Sequence, residues 1–94
     1  MSERTTASLA ILDSLLPALE ARPPGEHRDR IVEDTQALRR AVAAFHMEAI
    51  RFRMYSVDRR LRLEGEEGAA RQMFEQLRQA LEDAGFHTRS HTAP

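Results

Sequence analysis

From Glu26 to Glu64 the chain reads EHRDRIVEDTQALRRAVAAFHMEAIRFRMYSVDRRLRLE, with no proline or glycine inside, although both flank it. Apolar residues recur there at helical spacing, on two faces. With Ile31 set at zero and ~100° per residue, Leu38, Val42, Phe45, Ala49 and Phe52 fall within about 60° of it. Val32, Ala43, Met47, Ile50, Met54, Val57 and Leu61 gather about 120° away. The first face dominates the N-terminal two-thirds of the stretch, and the second is strongest from Met47 to Leu61. The pattern predicts one continuous helix of ~39 residues, about 58 Å long. A helix with two apolar stripes needs a neighbour on each.

Before it, SLAILDSLLPALEAR places Leu9, Leu12, Leu16 and Leu19 on one helical stripe, widened by Ile11 and Leu15. This predicts a helix over about residues 8–21, with Thr5 or Thr6 as its cap. Pro17 lies inside it, where a missing N–H and a crowded preceding turn favour a kink or a two-part helix. Arg22-Pro23-Pro24-Gly25 then breaks the chain. A second break falls at Glu64-Gly65-Glu66-Glu67-Gly68, with Gly65 suited to closing the long helix. The last helix spans about 68–84 through Ala70, Met73, Phe74, Leu77 and Leu81. Gly85 closes it in a left-handed turn that brings Phe86 back onto Leu81. Residues 1–7 read as a frayed lead-in, and 86–94 as a disordered tail.

The expected fold is therefore all-α, a single domain of three helices, with a long central helix flanked by two shorter antiparallel ones. Each short helix covers about half of the rod. Phe45, Met47, Ile50, Phe52, Met54, Val57 and Leu61 are left as the expected contact surface, and a homodimer completing a helical bundle is the simplest way to cover them.

Composition narrows the chemistry. There is no cysteine, which excludes disulfides, thiol catalysis and cysteine-based zinc sites. No apolar run approaches the length of a membrane span, and MSERTTASLAILD lacks the basic start of a signal peptide. The expectation is a soluble, cytoplasmic protein with no membrane partner. Net charge is −1, so nothing global draws the chain to nucleic acid. All 14 basic residues are arginine. Seven of them stand between Leu38 and Leu63 against two acids, Glu48 and Asp58, so this segment is locally basic.

Arg39, His46, Arg53 and Arg60 recur every seventh residue and form a basic stripe between the two apolar faces. It suits an acidic protein partner, or phosphates along a nucleic acid as the alternative. It equally suits pairing with acids of the flanking helices, such as Glu20, Glu75 or Glu82. Asp58 among arginines reads as an ionised structural carboxylate. Met47, Met54 and Met73 read as core or as an adaptable contact surface. Tyr55 lies at a third azimuth, away from both apolar faces.

No catalytic, cofactor or metal site is expected. His46 and Glu48 have the wrong spacing for helix-borne ligands, and His87 and His91 follow a helix-ending glycine. GEEG offers acids where a phosphate needs donors. The reading is a non-enzymatic helical interaction or assembly module, a small adaptor or regulator.

Overall fold

A computed structural model describes residues 3–63 and 68–86. Among these there are four α-helices and no strand: α1 Thr6–Glu20, α2 Glu26–Ala43, α3 Met47–Leu63 and α4 Ala69–Asp83. The expectation of three helices is corrected to four, because the long rod is two helices. The dipeptide Glu66-Glu67, Gly65 and the tail with His87 and His91 lie outside the described residues.

The rod ends at Ala43 through a Schellman turn. The Phe45 N–H donates to the Val42 carbonyl at 3.1 Å and the His46 N–H to the Ala41 carbonyl at 3.0 Å. Phe45 occupies the position that glycine usually takes, at φ +62°. His46 then starts α3, its Nδ1 accepting from the Ala49 N–H at 3.3 Å. The same turn closes α4 with the usual residue. There Gly85, at φ +99°, donates to Glu82, and Phe86 donates to Leu81 at 2.9 Å.

The break accounts for the two apolar faces. In α2 the first face is buried, at Ile31, Leu38 and Val42. In α3 the second is buried, at Ile50, Met54, Val57 and Leu61, while Phe52 of the first face points out. Each helix needs only one apolar stripe, and the stripe changes azimuth at the turn. Leu12, Leu15 and Leu19 of α1 and Phe74, Leu77 and Leu81 of α4 complete one core.

Helices α1, α2 and α3 pack in sequence, and α4 returns against α1. Arg39 meets Asp13 and Arg28 meets the Glu20 carbonyl, an order that makes α1 and α2 antiparallel. Arg4 donates to the Ala84 carbonyl, so α4 ends where α1 begins. Glu3–Thr5, expected to fray, forms a 3₁₀ turn instead. α1 runs as one element through Pro17, which sits exposed near its end. The hydrogen bond Pro17 cannot make is that to the carbonyl of Asp13, itself an exposed residue.

Candidate interaction face on the third helix

The core claims most of the residues expected at an interface. Ile50, Met54, Val57 and Leu61 lie inside this chain's own core, and Met47 packs half-buried against it. A rod that is two helices folds its apolar stripes onto each other, so these residues are covered without a second copy. Phe45 stands at the turn, its ring 5.2 Å from that of Phe86. The Arg4 guanidinium lies over both rings, at 5.0 and 5.5 Å.

What α3 leaves outside is a row. Phe52 is 50 % exposed, Tyr55 38 % and Leu63 72 %. With Ser56, Arg59 and Arg60 they line one shallow groove. Positions 52, 55, 56, 59 and 63 share a single helical face, opposite the buried stripe. The spacing of Phe52, Tyr55, Arg59 and Leu63 was the signal available in the sequence. On a continuous rod Leu63 falls on the first face with Phe52 while Tyr55 and Arg59 fall off both faces, so the four read as one row only once α3 is separated from α2.

The basic stripe is also broken up. Arg39 Nε donates to Asp13 at 2.8 Å, across α1 and α2. That pairing holds the Asp13 carboxyl below its usual range. The hydrogen bond from Arg39 is the main cause, opposed by slight burial and aided by the nearby charge. His46 is spent on capping α3. Arg53 Nη1 and Arg60 Nε donate to the two oxygens of Asp34, at 3.1 and 2.5 Å. The acids that engage the stripe are thus Asp13 and Asp34, in place of Glu20, Glu75 or Glu82.

A second carboxylate repeats the arrangement between α3 and α4, whose backbones approach less closely than those of the other packed pairs. Asp58 has Arg71 Nη1 at 2.8 Å, Arg62 Nε at 3.2 Å and Arg78 Nη2 at 3.9 Å. Long guanidinium arms fill the wider gap. Arg71 and Arg78 also stack on the buried Phe74 ring, at 5.3 and 5.2 Å. Burial disfavours the Arg71 charge, but its bonds to Asp58 and Glu75 outweigh this and raise its pKa further. These ion pairs join α3 to α4.

Arg59 forms no ion pair among the described residues and is exposed beside Tyr55 and Leu63. Arg53 and Arg60 share one carboxylate, so their surroundings keep a surplus positive charge. The face combines the apolar side chains of Phe52, Tyr55 and Leu63 with Arg59 between them and Arg60 at one edge. Among the described residues no three His, Asp or Glu side chains are grouped as a metal would require, and no helix is long and apolar enough to cross a membrane. No protein-family model, curated protein or solved structure matches this chain.

Proposed function

We propose that this protein is a non-enzymatic helical interaction module, a small adaptor or regulator, that docks an acidic amphipathic segment of a partner protein on the outer face of α3. The observation that carries the reading is the exposure of Phe52, Tyr55 and Leu63 in one row beside Arg59 and Arg60. Aromatic anchors with arginine among and beside them are the composition that contact surfaces favour. The local charge selects the occupant. Two copies of this face pressed together would bring arginines against arginines, whereas a segment carrying Glu or Asp beside Leu or Phe would match both the apolar row and its rim. Nucleic-acid binding along Arg39, His46, Arg53 and Arg60 has less support, because three of the four are engaged by Asp13 and Asp34 and the fourth caps a helix.

The test uses a panel of labelled Glu-rich peptides with Leu or Phe at helical spacing, read by fluorescence anisotropy. Binding that weakens with salt and is lost on Phe52→Glu or Leu63→Glu, with the fold retained, supports the reading. Absence of binding across the panel, or binding indifferent to both substitutions, overturns it.

A further inference from the structure

The turn between α2 and α3 is made of residues that do not favour turning. Ala44-Phe45-His46 contains no Gly, Pro, Asn or Asp, and none of the residues from Glu26 to Leu63 is Gly or Pro. Phe45 nevertheless stands at φ +62°, where the Cβ of an L-residue crowds the following carbonyl. In right-handed conformation the same three residues would simply continue the helix. A few dihedral angles separate the hairpin from the rod that the hydrophobic pattern predicts.

We propose that this turn is a hinge through which the chain exchanges its C-terminal half with a second copy of itself, forming a domain-swapped dimer in which α2 and α3 fuse into one helix. The inference goes beyond the docking of an acidic partner and rests on the Phe45 backbone, not on the outer face of α3. Exchange preserves the contacts between the two halves and only makes them between chains. Asp34 of one copy would receive Arg53 and Arg60 of the other, and the buried stripes of α2 and α3 would pair in the same way. α4 would travel with α3, since Asp58 ties it to Arg71 and Arg78. The closed form carries the left-handed Phe45 and the open form does not. Short strained connectors favour exchange for this reason. The ~120° change of apolar face at the hinge sets the two lobes at different azimuths around the fused helix, which gives them room. Opening is resisted by the Phe45 ring on Phe86 and Arg4, and by the cost of bringing two chains together. The exchange is therefore concentration-dependent.

The experiment refolds the full chain at high and low concentration and measures mass by light scattering after size exclusion. A Glu33→Cys/Arg59→Cys chain, the only thiols in a cysteine-free background, is spin-labelled and diluted into unlabelled chain. Refolding at high concentration should yield a dimer in which the two labels of one chain are far apart. They would be ~39 Å apart along a continuous helix, against ~10 Å between the axes of adjacent helices in the hairpin. Phe45→Gly should lower the dimerisation constant by roughly tenfold per hinge, hence about a hundredfold per dimer, and Phe45→Ala should raise it. A wild-type chain that stays monomeric, a dimer showing only the short distance, or Gly and Ala variants that shift together each overturn the proposal. If the Phe45 variants do not fold, co-refolding decides. An Asp34→Arg chain mixed with an Arg53→Asp/Arg60→Asp chain can match its charges in both lobes only by exchange. A mixed dimer supports the proposal, and only the species of the separate chains refutes it.

Discussion

Arg60 of α3 donates from Nε to Asp34 of α2 at 2.5 Å, and Arg53, one heptad earlier, holds the other carboxylate oxygen. Asp34 is only 8 % exposed, so these two arginines take the place of most of its solvent contact. Arg71 and Arg78, also seven apart, flank Asp58 between the next pair of helices. Two arginines a heptad apart around one carboxylate fix the register of both hairpin-like contacts. Arginine serves here because its planar fork reaches across a helix gap and pairs in a fixed geometry.

Removing the carboxylate strands two cations, whereas removing one arginine leaves the other in place. Asp34→Ala should therefore cost about 1–3 kcal/mol in chemical denaturation, between the values for exposed and fully buried pairs. Arg53→Ala alone should cost less than half of that. Equal losses for the two variants would mean that Asp34 has a single effective partner.

Ile50 and Phe52 stand two residues apart on α3, yet a carboxylate at each should have opposite consequences. Ile50 is fully buried, so Ile50→Glu places a charge in the core and should unfold the chain, lowering far-UV helicity at room temperature. Phe52 is half exposed, and Phe52→Glu should shift stability by only about 0.5 kcal/mol. Comparable melting temperatures for the two proteins would contradict the assigned faces.

The two helix ends that share the Schellman geometry show what the sequence made legible. Gly85 marked the end of α4, and the contact of Phe86 near Leu81 followed from it. The end of α2 had no such mark, because Phe45 occupies the left-handed position that glycine usually fills. The only sign was the shift of apolar azimuth near residue 45, which reads equally well as a rod with two neighbours. That one ambiguity moved Ile50, Met54, Val57 and Leu61 from core to surface in the expectation. It also hid the partners of Arg53 and Arg60, since Asp34 meets them only when the hairpin folds back. Tyr55, expected at a third azimuth, is exposed on α3 in the same row as Phe52 and Leu63.

Gly85 is needed for more than its own conformation. A Cβ there would lie 2.8 Å from Arg4 Nη2, whose guanidinium caps α4 at the Ala84 carbonyl and stacks on Phe45 and Phe86. Gly85→Ala should cost about 1–2 kcal/mol from the left-handed backbone. Because Arg4 is long it can yield, so part of the effect should be a loosened N-terminus. Hydrogen exchange should show faster exchange of the α1 amides nearest Arg4 in the variant. Unchanged exchange there would show that Arg4 does not anchor the start of α1.

The Asp13–Arg39 pair ties α1 to α2 at the surface, and its pH dependence has a definite sign. Arg39 holds the Asp13 carboxyl below the ordinary aspartate value of 3.8 in the folded chain. A group whose pKa is lower folded than unfolded stabilises the fold when ionised. The contribution is therefore complete above the unfolded value and is lost as pH falls through the lower folded one. Wild type and Asp13→Asn should differ in stability by a constant amount from neutral pH down to about pH 5, then converge as acid protonates Asp13. Carbon-detected titration of the Asp13 carboxyl should give a midpoint below 3.8 that returns to the ordinary value in Arg39→Gln. Because both side chains are largely exposed, added salt should shrink the difference. A midpoint that ignores Arg39→Gln would show that the pair does not persist in solution, and α1 would then be held to α2 by its leucines and the Arg28 bond to the Glu20 carbonyl.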